Sequence, residues 1–275
     1  MKIRCAVAGV VMVLLLTLVS AASAQIHFGV IPLVDQKEME KRFRPLADYD
    51  YLTARMGEEV VLVVGKDYNE VEEGLAGGKL DMAFLGPVGA VKVAAMNENV
   101  FPLVKVMKNG AGFYKSYIVA LKDANITRLT QLKGKTVAFG DRGSTSSYLI
   151  PKFLLAEAGV HLDDLDKALI TGSHANVIRA VLNHKADAGG VKESLALKNQ
   201  DKLKFLAISG PIPEFPICVN GATLNEGKIE KLQSAFLAVP ADSKVIRSIN
   251  KKYDGFTHAT FMEYTVIKYI LAMDQ

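Results

Sequence analysis

Cysteine is scarce in this sequence, with two residues among 275. Cys5 precedes the apolar run at the N-terminus. Once that run is removed, only Cys218 remains, and no disulfide can form within the chain. Flanked by Ile217 and Val219, Cys218 reads as a small buried hydrophobe. A cysteine cluster of zinc type is absent. Excess charge of either sign is also missing: 33 Lys and Arg face 29 Asp and Glu, and loss of Lys2 and Arg4 leaves a net +2. No basic run carries interleaved aromatics, so nucleic acid is excluded as a partner. The apolar run itself, Val10 to Val19, is shorter than the ~20 residues that span a bilayer. Lys2 and Arg4 precede it and Ala22-Ser23-Ala24 follows, the order of a cleaved signal peptide over residues 1–24. The expected mature chain starts at Gln25 and is soluble outside the cytoplasmic membrane. Removing 24 of 275 residues leaves 251, near the size at which one core stops growing, so two lobes are expected.

Motifs of catalysis are missing as well. Gly134-Lys135-Thr136 lacks the earlier glycine of a nucleotide P-loop, and a strand follows it rather than a helix. No G-x-S-x-G elbow is present. No metal, cofactor or activated nucleophile is implied, and an enzyme is not expected.

What the sequence does contain is alternation. Segments 26–33, 59–65, 81–87, 116–122 and 135–141 read as strands, and 38–57, 68–80 and 148–160 as helices. This β-α-β order predicts a parallel sheet covered by helices. A faint repeat sets residues 68–84 over 174–190: Val71 meets Val177, Lys79 meets Lys185, and Asp81 meets Asp187. Tyr68 and His174 then both open a helix. Two lobes of similar build suit a ligand clamped between them.

The stretch GDRGSTSSYLIPKF, residues 140–153, gathers four hydroxyl residues after two glycines, between a strand and a helix. A helix start carries unpaired N–H groups and a partial positive charge, a ready place for an anion. Pro151 predicts a regular helix beginning near Ser147 or Tyr148, which leaves Ser144, Thr145 and Ser146 to form a cup. Hydrogen bonds to a charged group are worth about 1.5–3 kcal/mol each, and micromolar affinity needs roughly 8 kcal/mol. An ordinary N-cap, which needs a single hydroxyl, is the plainer alternative.

Over most of its length the chain resembles the periplasmic phosphate/phosphite/phosphonate-binding proteins of ABC importers, the PhnD-like group. The likeness runs through FGVIPLVD, RPLADY, DMAFLGP, the segment from YKSYIVALK to GDRGSTSSYLIP, TGSHANVIRAVLNHKADAG and SGPIPEFP. It implies an α/β fold of two lobes and a hinge, the type II-like periplasmic binding protein fold. Residues 25–115 and 211–275 would form the first lobe and 116–210 the second. It also implies a non-catalytic receptor in the periplasm, a small oxyanion ligand, a membrane ABC permease as partner, no cofactor, and a monomer by default. A sensor that reports to a histidine kinase or chemoreceptor would look the same in sequence. A phosphoesterase would have to use Ser146 and His174 as nucleophile and base.

Carried over residue by residue, the resemblance implies that Ser144, Thr145 and Ser146 grip the phosphonyl oxygens. Tyr68 and Tyr114 would serve from the first lobe and His174 from the second. Glu193 falls where a carboxylate can meet a ligand amine. Each has a plainer reading: packing tyrosines, a helix-end histidine, a solvated carboxylate. The chain departs from the pattern in four places. Ala90 stands where an aromatic is common, Ser147 where glycine is usual, and Phe215 where aminophosphonate binders often have an acid. The segment DYDYL, residues 48–52, is longer than usual. The loss of an acid at Phe215 favours a small oxyanion or plain alkylphosphonate, while Glu193 keeps an amine-bearing ligand open.

Overall fold

The computed structural model describes residues 25–48 and 50–273. The signal segment expected over 1–24 lies outside the described residues. Strand β1 (Ile26–Val30) leads to helices α1 (Gln36–Ala47) and α2 (Leu52–Met56), strand β2 (Val60–Val64), helix α3 (Tyr68–Ala76), strand β3 (Met82–Phe84), helix α4 (Pro87–Met96) and strand β4 (Val100–Lys108). After β5 (Phe113–Tyr114) come β6 (Ser116–Leu121), β7 (Thr136–Phe139), α5 (Ile150–Glu157), β8 (Lys167–Ile170), α6 (His174–Leu182), β9 (Ala188–Lys192), α7 (Glu193–Lys198) and β10 (Leu203–Ile208). The chain continues through β11 (Ile212–Pro213), β12 (Pro216–Asn220), α8 (Glu226–Leu237), α9 (Lys244–Ile249), β13 (Tyr253–His258) and α10 (Thr265–Met273).

Two sheets result. One has the order β13-β4-β12-β3-β1-β2 and the other β10-β6-β9-β7-β8. Between them β5 pairs antiparallel with β11, Tyr114 opposite Ile212. The chain therefore passes from one sheet to the other just after β5 and returns just before β11.

Neither sheet is wholly parallel, contrary to the expectation from the β-α-β alternation. In each, a parallel trio (β3-β1-β2, β9-β7-β8) is flanked by antiparallel strands. The flanking strands β12 and β6 each enter directly from the crossover, and that entry reverses their direction relative to the trio. The helix expected over 38–57 is also interrupted. Thr53 Oγ1 donates to the Ala47 carbonyl at 2.9 Å and accepts from Val60 N–H at 2.9 Å, tying the helix end to the strand that follows. Gly57 then closes α2 in the left-handed region, φ 72°, where glycine meets no Cβ penalty.

The weak sequence repeat is a structural one. Asp67 and Ser173 cap α3 and α6 through their side chains. Asp81 accepts from His27 N–H at 2.7 Å, and Asp187 accepts from Thr136 N–H at 2.9 Å, so each fastens the start of its central strand. Val71 and Val177 pack over Gly29 and Gly189, where an added Cβ would come within 3.1 and 2.5 Å of them. Each helix is thereby drawn tightly onto its sheet. The identities are the few positions that set this helix-to-strand distance.

The first sheet and its helices share one apolar core, which also takes in Leu149, Ile150, Ile212 and Phe215. In the second sheet alternate residues serve opposite faces. Tyr117 and Val119 join one cluster, Ile118 and Ala120 the other, as the period of two demands.

Candidate functional site

The hydroxyl turn sits where four helix starts converge. Ser144 caps a π-type turn over Thr145–Leu149, and α5 proper begins only at Ile150. The Ile150 N–H reaches back to the Thr145 carbonyl, and the Leu149 N–H to that of Ser144 at 3.1 Å. This widened ladder has a cause in Pro151. Proline has no N–H to offer the Ser147 carbonyl, which instead accepts from Gly140 N–H at 3.0 Å. The Ser146 carbonyl, likewise released, accepts from the Ser116 hydroxyl at 2.8 Å. The turn is thus held by the ends of β7 and β6, and its side chains are left for other work. The regular helix starts two or three residues later than the sequence suggests. Ser144 is a true N-cap, so the capping and anion-cup readings hold together.

All four hydroxyl side chains are buried. Ser147 donates to Ser144 Oγ at 2.7 Å, and the Ser147 N–H approaches the same oxygen at 3.3 Å. Ser144, with two donors already on it, also stands close enough to Tyr68 to influence its phenol. Ser147, unusual for glycine in this place, orients Ser144. Its Oγ rests against Gly140, where a Cβ would lie 2.1 Å away. Gly140→Ala is therefore expected to displace Ser147 and weaken ligand affinity at least tenfold in titration; unchanged affinity would show that this orienting contact is dispensable.

His174 stands at the start of α6 with Nε2 3.4 Å from Ser144 Oγ. Its Nδ1 accepts from Lys192 N–H at 3.2 Å, so the hydrogen of the neutral ring is on Nε2, facing the turn. Burial, and secondarily the Lys192 ammonium, push His174 down to about 3. It is a neutral donor over the working range. The hydroxyl that meets its ring is that of Ser144, not of the Ser146 that a hydrolase reading would pair with it.

From the first lobe, Val88 N–H in the opening turn of α4 donates to Thr145 Oγ1 at 2.9 Å. Thr145 therefore joins the lobes directly. Tyr68 opens α3, and Tyr114 lies in β5 at the crossover; both are fully buried, and burial raises both phenols. Tyr114 Oη and Ser146 Oγ are buried without a hydrogen-bond partner. Ser146 and Thr145 stand close enough to bias the Tyr114 phenol, yet no bond of good geometry joins them. Buried polar atoms without partners are rare in native folds. These two come from opposite lobes.

Glu193 is placed differently from its companions. It forms an ion pair with Lys108. The buried carboxylate beside the site is Glu214, one residue before the Phe215 position, and it pairs with Lys192 at 2.8 Å. Neither residue stands out in the sequence. The available signal was a charged residue inside each of two apolar segments, GGVK and IPEFP. Glu72 was also missed. It is buried on α3, and its Oε1 has no partner. Burial lifts its carboxyl to about 7 against the pull of Lys92, and Asp141 of the other lobe adds to the rise. Among the described residues no group of three or more His, Cys, Asp or Glu could hold a metal ion. A surface cavity of about 630 Å³ is lined by Asp35, Lys41, Ser173 and Arg179.

Known proteins resemble the chain to different extents. A phosphate-import protein of Mycolicibacterium smegmatis is 34% identical over 174 residues, 60% of this chain and 54% of that one. The phosphonates-binding periplasmic protein of Escherichia coli is 28% identical, over 76% of this chain and 62% of its own length. A protein of Prochlorococcus marinus named as the phosphite-binding component of an ABC transporter is 26% identical over 88% of this chain and 87% of that one. The aligned chain thus spans between half and two thirds of the first two relatives. Among solved structures, a Prochlorococcus marinus protein in complex with methylphosphonate superposes with a TM-score of 0.80 at 24% identity, covering 90% of this chain and 96% of that one. A binding component of a phosphonate ABC transporter from Pseudomonas aeruginosa gives 0.79 at 23%, over 90 and 85%. Both show the fold, the two-lobed periplasmic binding protein architecture. The family model described as ABC transporter, phosphonate, periplasmic substrate-binding protein matches residues 28–264, and the chain belongs to that family.

Proposed function

We propose that this protein is a non-catalytic receptor that closes two lobes on a phosphate-like oxyanion and delivers it to a membrane ABC permease. The ligand is phosphate, phosphite or a small alkylphosphonate. The lobes are residues 25–115 with 211–275, and 116–210, turning about the β5–β11 crossover as hinged domains do. The protein is exported on residues 1–24 and acts in the periplasm as a monomer.

One observation carries the reading: the hydroxyls of Ser146 and Tyr114, both buried and unpartnered, with Ser146 close enough to bias the Tyr114 phenol. An oxyanion between them supplies the acceptor that both lack. Ser144, neutral His174 and the starts of α3, α4 and α6 add donors and partial positive charge without a formal cation. Neutral donors fixed in place favour a small anion, and closure removes it from water, where each bond strengthens. The names of the relatives, for phosphate, phosphite and phosphonates, lie in the same chemical class.

The test is calorimetric titration of residues 25–275, freed of ligand by unfolding and refolding, against phosphate, phosphite, methylphosphonate, 2-aminoethylphosphonate and sulfate. One-to-one binding of a phosphorus oxyanion at micromolar affinity or tighter, with sulfate rejected, is expected. Absence of binding to every member would end the receptor reading.

A further inference from the structure

Beside the oxyanion cup lies a second piece of recognition chemistry that the hydroxyl turn does not use. The rings of Tyr114, Phe215 and Tyr253 and the carboxylate of Glu214 surround one point, and all four residues are buried. Lys192 Nζ occupies that point. It lies 4.2 Å from the Tyr114 ring centre, 4.0 Å from that of Phe215 and 5.8 Å from that of Tyr253. It is 2.8 Å from Glu214 Oε2 and 3.4 Å from Tyr253 Oη. Aromatic faces with a carboxylate are the chemistry that recognises an alkylammonium ion. Glu214 Oε1 is fully buried and has no partner, so the carboxylate retains acceptor capacity beyond its bond to Lys192.

This cage and the cup share a wall. Tyr114 presents its face to Lys192 and its hydroxyl side to Ser146 and Thr145. The backbone N–H of Lys192 also holds His174. A ligand bound by its phosphonyl group in the cup, with an amine on a short carbon arm, would direct that amine at the cage.

We propose that Lys192 acts as a built-in ammonium ligand: it fills an alkylammonium site adjoining the oxyanion cup and so restricts the protein to phosphorus oxyanions that carry no amine. The proposal rests on the receptor reading and names its substrate class. Its geometric basis is independent of Glu193, which Lys108 already engages. Buried ion pairs are costly to assemble and are often matched in stability by apolar substitutes. A specificity role gives this one a reason to exist.

The experiment compares 2-aminoethylphosphonate with its amine-free isostere n-propylphosphonate by calorimetry. Wild-type protein should bind the amine no more tightly than the isostere. Lys192→Ala should shift the affinity ratio at least tenfold towards the amine. Lys192→Gln, which keeps the cage filled, should leave the ratio unchanged, and Lys192→Ala with Glu214→Gln should abolish the gain. Separately, millimolar ethylammonium chloride should raise the melting temperature of Lys192→Ala, while sodium chloride of equal ionic strength should not. This readout needs no phosphorus ligand. Rescue without any oxyanion binding would reject the receptor reading and keep the cage. A wild-type preference for the amine, or an unchanged ratio in Lys192→Ala together with no ethylammonium rescue, overturns the proposal.

Discussion

Replacing Ser144 and Thr145 together by alanine is expected to lower oxyanion affinity by a hundredfold or more. Each hydroxyl lost from a charged ligand costs about 1.5–3 kcal/mol, and every 1.4 kcal/mol is tenfold in Kd. The second loss is compounded because Thr145 Oγ1 also accepts from Val88 N–H and so joins the lobes. The double variant gives up a helix cap as well, since Ser144 accepts from Ser147 N–H, at about 1 kcal/mol of stability. Ser144→Asp separates the two roles. A carboxylate caps as well as a serine does, but it brings a negative charge to the anion. Ser144→Asp should therefore still fold, at some cost in melting temperature because the carboxylate is buried, and fail to bind. Titration calorimetry and a thermal melt on the same samples decide it. Affinity within threefold of wild type in the double variant would remove the hydroxyl turn from the site.

Glu72→Gln should stabilise the protein at alkaline pH, and the gain should disappear in acid. The Glu72 carboxyl titrates near 4.5 in the unfolded chain and at about 7 in the fold. The folded protein binds this proton more tightly, so the contribution to stability is greatest below 4.5. It is lost as pH rises from 4.5 to 7 and stays lost above. A displacement of that size corresponds to about 3 kcal/mol. Its structural basis is burial, to which the meeting of two carboxyl groups adds. A Cβ placed on Gly143 would stand 3.3 Å from Glu72 Oε1 and 3.2 Å from Asp141 Oδ1, so the carboxyls of the two lobes flank the same glycine. Asp141 is raised too, chiefly by burial. Melting temperatures of wild type and Glu72→Gln measured from pH 4.5 to 8.5 should diverge with rising pH, the variant being the more stable. Parallel curves, or curves that converge at high pH, would show that Glu72 is not the titrating group. Because the lobes carry one carboxyl each, closure between pH 4.5 and 7 should also take up a proton. Binding enthalpies in buffers of different ionisation heat would register it.

The parts of the site legible in the sequence are those with a local mechanism. Two glycines, four hydroxyls and a proline in one strand-to-helix junction mark a late helix start, while its widening was seen only in the fold, where Gly140 and Ser116 hold the released carbonyls. The capped starts of α3 and α6 were legible for the same reason, and so Tyr68 and His174 fell at equivalent places. The register of the repeat could be read because Asp81 and Asp187 each fasten a strand only a fixed distance from their helix. The error over parallel sheets shows where local reading ends. Alternation of helix and strand fixes the central trio in each lobe, but the direction of a strand arriving from the crossover depends on which lobe the chain left.

The Lys192–Glu214 pair and the Glu72–Asp141 opposition had no such signal. Their members are separated by 22 and 69 positions along the chain, and each looks like an ordinary charge in its local sequence. Glu193, in contrast, looked like a ligand group and is held by Lys108. By itself, then, the sequence determined the elements, the anion-ready turn and the likeness of the two lobes, because periodicity, capping and proline chemistry act over a few residues. The tertiary structure alone decided which charges meet, which hydroxyls stay unpartnered and which are already bound. Those outcomes depend on how β5 and β11 bring the lobes together, and burial at that junction sets the electrostatic strength of every contact there.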